Sequence, residues 1–141
     1  MASHITALRA FLLADPPCNA ITDGRIFGGR LPAAESAAMP RRAIVVTKAG
    51  GTDLFAGGYV EHATARVDVR SYGETPFEAE RVNRAIVLAL KRLRRSVHAG
   101  VLLHWANSAG GAIPTTEPGT EWPLETQAFQ IAYALNEVSG S

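Results

Sequence analysis

The chain has one cysteine, Cys18, among 141 residues, so an intrachain disulfide and a cysteine-rich zinc site are both excluded. No apolar run reaches the roughly 18 residues that a membrane-crossing helix needs, and no basic flank precedes an apolar stretch at the amino end. A soluble, unexported protein is the expectation. Charge of one sign is lacking too: 14 Lys and Arg against 13 Asp and Glu leave a net charge of +1. That excludes a global field for holding DNA, RNA or an anionic membrane, and any nucleic-acid role must be local.

Chemistry-bearing motifs are also missing. Gly50-Gly51 and Gly57-Gly58 lack the Lys-Ser or Lys-Thr of a phosphate-binding loop, and no GxGxxG opens a helix. His98 and His104 share a parity, as if on one extended strand, but have no acidic or cysteine partner at ligand spacing. His4 and His62 form no triad with a neighbouring Ser and Asp. Cys18, with no His or helix start evident beside it, reads as a packed side chain rather than a nucleophile. No catalytic residue, metal ligand or cofactor is assigned, and the chain is not expected to be an enzyme.

What is present is a globular composition, 47% hydrophobic and 19% charged, in a length suited to a single domain over residues 1–141. The most explicit signal begins at Arg66. Arg66, Asp68 and Arg70 alternate with Val67 and Val69, so a strand there packs one face and leaves the other polar. After Gly73, Thr75 caps a helix, Pro76 sits at its first position, and Glu78 is placed to complete a capping box. Within it Ala79, Val82, Ile86, Ala89, Leu90 and Leu93 recur at spacings of three and four and define a buried stripe. The opposite face gathers Arg81, Arg84, Lys91, Arg92 and Arg95, with Phe77 and Leu88 among them.

The helix macrodipole accounts for the cations from Lys91 to Arg95, each favoured by about 0.3–1 kcal/mol. It does not account for two apolar residues in a charged field. The face therefore reads either as solvated or as a subunit interface, with direct nucleic-acid contact a third reading. The row Arg66, Asp68, Arg70 has the same two readings, a polar exterior or cross-subunit ion pairing.

Elsewhere, Ser3 caps a short helix lined by Ile5, Leu8, Phe11 and Leu12, which Asp15-Pro16-Pro17 stops. Residues 20–25 suggest a helical turn ending at Gly24, and Ile26-Phe27 starts an extended segment. The β-branched run over residues 43–47 reads as an interior strand, and residues 48–58, with two glycine pairs, as a mobile hairpin tip. The strand containing Arg66 is expected over residues 59–72, with two further strands over residues 101–105 and 129–135. Residues 106–125, rich in glycine and proline, are expected to lack regular structure and to present Trp122 for docking, as Leu54 and Phe55 do in the other loop. The fold class expected is α+β: a mainly antiparallel sheet of about four strands with two helices packed on it.

Four stretches carry a family resemblance: Gly24-Arg25-Ile26-Phe27 with Leu31-Pro32, the strand entry from Pro40 to Val46, the segment from Arg66 to Gly73, and Glu78-Ala79 opening a helix that reaches Ala89-Leu90. In order and spacing they resemble the tail completion, or tail terminator, family of long-tailed bacteriophages and related particles, over about two thirds of the chain. The resemblance implies a homo-oligomer closing as a sixfold ring on the last ring of major tail tube protein. That ring stops tube growth and joins a head connector or stopper protein, in the virion at the head-tail junction and in host cytoplasm during assembly. DNA only passes through its lumen, and no membrane or catalysis is involved. That fits the residues read above: Arg66, Asp68, Arg70, Phe77, Arg81, Arg84, Leu88 and Arg92 are the expected interface residues, and Leu54, Phe55 and Trp122 the expected docking-loop residues. Competing readings are a head-side connector or stopper ring, a small oligomeric binding protein of a cell, and an enzyme whose site is shared between subunits.

Overall fold

Ser3 begins the first ordered element as its side chain accepts from the Thr6 amide at 3.1 Å, opening α1 (His4–Ala14). The computed structural model describes residues 3–54 and 62–134. Asp15 ends α1 and at once caps α2 (Pro16–Thr22), accepting from the Cys18 amide at 3.2 Å. The Asp-Pro-Pro step thus both stops one helix and starts the next, because proline at the first helical position gives up no needed donor. The helical turn expected over residues 20–25 is the end of this second helix. Asp23 terminates it in the left-handed region, at φ 52°.

Strand β1 (Ile26–Gly28) is followed by a four-residue helix, α3 (Ala33–Ser36), and by β2 (Ala43–Leu54) and β3 (His62–Tyr72). Helix α4 (Pro76–Arg92) then crosses the sheet, and β4 (Ser96–His98), β5 (Val101–Ser108), β6 (Ile113–Thr116) and β7 (Pro123–Ala134) complete it. The strand order is β1-β2-β3-β7-β5-β4, with β6 also paired to β7. Only β1 and β2 run parallel among the described pairs.

The α+β class and the antiparallel bias agree with the sequence reading, but the count does not: the described residues form seven strands and four helices, not about four and two. The strands that escaped are β4 and β6, of three and four residues, too short to show a period, while β1 is the extended segment expected to start at Ile26-Phe27, uncounted as a strand of the sheet. Strand β2 also continues to Leu54 through a register shift between Lys48 and Thr52, so the first part of the expected hairpin tip is strand. Phe55 and the rest of that tip to residue 58 lie outside the described residues. Likewise residues 106–125 contain the end of β5, all of β6 and the start of β7. Pro114 is accommodated there because β6 lies at a sheet edge, and Pro123 because it opens a strand.

The main core lies between one sheet face and helices α1 and α4. Ile44, Val46, Val67, Val69, Leu103, Phe129 and Ile131 meet Leu8 and Leu12 from α1 and Val82, Ile86 and Leu90 from α4. Burying each such side chain contributes about 1.5–3 kcal/mol, before the cost of ordering it. The whole stripe predicted for α4 is buried. Its start is fixed by Thr75, which accepts from the Glu78 amide at 3.2 Å, while Glu78 reaches back to the Glu74 amide at 3.1 Å, one residue before the position a capping box would use. Gly73 lets the helix begin this close to β3: a Cβ there would lie 2.6 Å from the Ala79 nitrogen. A smaller core, Ala43, Val45, Tyr72 and Leu124 with Phe27, Leu31, Met39 and Trp122, occupies one end of the opposite sheet face.

Candidate functional site

Helix α4 turns two flanks away from its buried stripe. The first carries Phe77, Arg81, Arg84, Leu88 and Arg92 at spacings of three and four; Phe77 is 79% exposed and Leu88 47%. Beside it runs a shallow groove of about 240 Å³ against α2, with Pro17, Ile21, Ala85 and Leu88 as apolar lining and Arg81, Arg84 and Arg92 at the rim. Arg84 donates to Glu80 at 3.0 Å in an exposed pair, and Arg92 to the buried Asp15 at 2.7 Å. Arg81 has no carboxylate partner among the described residues.

The second set predicted from sequence lies elsewhere. Because Val67 and Val69 enter the helix-side core, Arg66, Asp68 and Arg70 face the other side of the sheet. Arg66 and Arg70 are exposed and Asp68 is half-buried. Arg66 reaches to the Ala109 carbonyl at 3.4 Å, over a recess of about 510 Å³ lined by Asp68, Gly110, Ile113, Thr126 and Ala128. The eight residues expected at an interface therefore form two patches on opposite faces, not one continuous surface.

Of the docking-loop residues, Leu54 ends β2, Phe55 falls outside the described residues, and Trp122 is half-buried. Trp122 packs edge-on against Tyr72, ring centroids 6.4 Å apart, as part of the smaller core. The Tyr72 hydroxyl donates to Glu117 at 3.0 Å; burial and that carboxylate push its pKa up to about 12, so it stays a donor. The loop around Trp122 is thus pinned to the sheet through Tyr72.

The titratable groups outside these patches are built into the fold. His4 is buried and stacks on Tyr133 at 4.8 Å, with burial and then Lys48 lowering its pKa. His98 and His104 lie on separate strands joined by a turn; His98 bonds to Ser96 at 2.7 Å and packs edge-on to Phe11. Cys18 does lie in a helix's first turn, which the sequence reading missed, yet burial foremost and Asp15 second push its thiol up to about 12, away from nucleophilic character. The described residues contain no group of three His, Cys, Asp or Glu able to hold a metal ion.

Two features had no signal in the apolar pattern. Asn83 of α4 donates to Gln127 at 2.9 Å in the interior, and Gln127 donates in turn to Ser108 and to the Gly110 carbonyl. Glu125 is buried on the same sheet face, its carboxyl pKa raised by burial and, less, by Glu80. The second flank of α4, with Val87 and Lys91, faces a further groove beside β5.

No family model and no curated protein matches the chain. Among solved structures it is similar to a chain from the virion of a native gene transfer agent particle, with a TM-score of 0.68 and 12% identity, covering 94% of this chain and 95% of that one. At that identity the likeness is one of fold. A structure of the bacteriophage SPP1 gp17 protein aligns over 95% of this chain and 94% of its own at 14% identity, with a TM-score of 0.43 that is too low to argue from.

Proposed function

We propose that the protein is a structural subunit of a phage-like particle, one that closes into a ring on the end of the tail tube. The ring ends tube polymerisation and offers the surface to which a head connector or stopper protein joins. The observation that carries this reading is the fold shared along nearly the whole chain with a chain of a gene transfer agent virion, at a TM-score of 0.68. The resemblance of the stretches around Ile26, Val45, Arg66 to Gly73 and Ala79 to tail terminators supports the finer role.

A ring needs one patch of each subunit to meet a different patch of the next, and it closes when the rotation does. Two unlike patches on opposite sheet faces meet that requirement. One is the apolar and cationic flank of α4 around Arg81 and Leu88, and the other is the mixed-charge row Arg66, Asp68 and Arg70. Six copies, the major tail tube protein below, a head connector above and DNA passing through the lumen make up the proposed assembly, and nothing in that role calls for catalysis.

Mixing the purified protein with tail tubes and with DNA-filled heads tests the reading, with light scattering for mass and electron microscopy for location. Rings capping tube ends are the expected result. Density on heads alone would move the role to the head side of the joint, and a monomer under every condition, with tubes present, would overturn it.

A further inference from the structure

The sheet leaves one edge half covered. Strand β5 pairs with β7 from Leu103 to Ser108, but β4 covers its outer side only at residues 101–103. Beyond that point no strand among the described residues flanks β5. The register shows which groups are turned outward: the Ala109 amide donates to the Ala128 carbonyl at 2.8 Å. Antiparallel pairing alternates, so Asn107 and Trp105 turn their backbone groups to β7, while Ala106 and Ser108 turn theirs to the open side.

Beside this edge lies a groove of about 370 Å³ between β5 and the second flank of α4. Val87, Leu90, Leu93 and Phe129 supply apolar lining, and Trp105, 39% exposed, stands at its side. The charged residues that line it are Lys91 and Arg94, with no acidic residue. Arg94 donates to the carbonyls of Lys91 and Leu93, both at 3.2 Å, which suits the end of a helix. Neither cation has a carboxylate partner among the described residues.

We propose that the outer edge of β5 takes an extended, acidic segment of a partner protein as an added strand. Added strands gain affinity from the backbone edge and specificity from pockets that receive alternate side chains. Here the edge offers the amides and carbonyls of Ala106 and Ser108, and the groove offers an apolar floor beneath two cations. Charge complementarity selects the occupant: side chains on the groove side of the segment alternate apolar with Asp or Glu, and the other side is unconstrained. Natural sheets blunt free edges with short strands, prolines or charges pointing into them. Strand β6, in line with β5 along β7, has Pro114 in this role, whereas residues 104–108 have no proline. This inference does not depend on ring closure, which uses the other flank of α4.

The test is nuclear magnetic resonance on the full-length isotope-labelled chain, titrated with a nine-residue peptide that alternates threonine with valine and glutamate. A second peptide replaces each glutamate by lysine, and a third carries a central proline. The first peptide is expected to shift the Ala106 and Ser108 amides and the Trp105 indole and to slow amide exchange at both positions. The lysine and proline peptides should leave them unmoved, and Lys91→Glu with Arg94→Glu should weaken binding about tenfold or more while the amide spectrum elsewhere is retained. No shift at millimolar peptide overturns the proposal, as does equal binding of the lysine peptide. Concentration-dependent protection of the same amides without peptide also overturns it, since a second copy would then occupy the edge.

Discussion

Arg92, in the last turn of α4, donates to Asp15 across 77 residues of sequence at 2.7 Å, and the other Asp15 oxygen accepts from the Cys18 amide at 3.2 Å. One carboxylate thus caps α2 and ties it to α4. Arg92, expected on a subunit interface, is partly committed within its own subunit.

Asp15→Ala is therefore expected to destabilise the fold by about 1–3 kcal/mol, since it removes a cap and the pair together. Arg92→Ala should cost less, about 1 kcal/mol or under, because the arginine is half exposed and solvent screens the pair. Urea unfolding of both variants checks the order; equal losses would mean that the cap contributes nothing.

Val82 and Ile86 are fully buried beneath α4. Truncating either to alanine should lower stability by on the order of 1–4 kcal/mol, seen as an earlier thermal or urea transition. An unchanged midpoint would contradict the packing described for this helix.

Gly73→Ala would place a Cβ 2.6 Å from both the Ala79 nitrogen and the Glu78 Cβ, so the first turn of α4 must shift. A loss of about 1–3 kcal/mol is expected. Gly111→Ala meets no atom within 4 Å and should stay within about 0.5 kcal/mol of the parent. Comparing the two in one denaturation series separates close approach from a general effect of losing glycine.

Burial raises the Glu125 pKa above its ordinary 4.5, with Glu80 adding to the shift and Arg84 opposing it. The folded state then holds this proton more tightly than the unfolded one, so this group's contribution to stability falls as pH rises from about 4.5 through the raised value. Glu125→Gln should remove that slope, leaving stability little changed at low pH and higher near neutrality. Melting temperatures of both proteins across that range give the answer; a variant less stable at neutral pH would show that the carboxylate has a partner it needs.

On the assembly side, Leu88→Glu and Arg84→Glu should each shift the proposed ring to lower mass in light scattering while the circular dichroism of the subunit is kept. Rings of unchanged stability in both variants would remove this flank of α4 from the contact.

Helix α4 was legible in full because its cap, first-position proline and apolar stripe all agree, and β3 because Val67 and Val69 alternate with charges. The polar residues on both were legible as outward-facing, but not that they face opposite sides, since facing depends on which side of the sheet receives the helix. The segment of residues 106–125 was misread for a physical reason: β6 is held by backbone bonds to β7, with Ile113 65% exposed and Pro114 in the strand, so burial left no mark on its sequence. The Asn83 and Gln127 pair was invisible because a polar residue satisfied in the interior looks, in sequence, like one in water.

Strand β7 is central in space and late in sequence, bonded along its length to β3 and on its other side to β5 and β6. While the chain is being synthesised, β2 can pair with β3 and β4 with β5 as soon as they emerge, but the β4–β5 hairpin and β6 cannot join β3 in the sheet until residues 123–134 have left the ribosome. Completion of this sheet thus waits for β7, which follows its partners β3, β5 and β6 in the chain, and its long-range pairings make that step slower than the local formation of α4. A nascent subunit stalled before residue 123 would expose the core-facing sides of β3 and α4, and would be a target for chaperones rather than a competent partner in assembly.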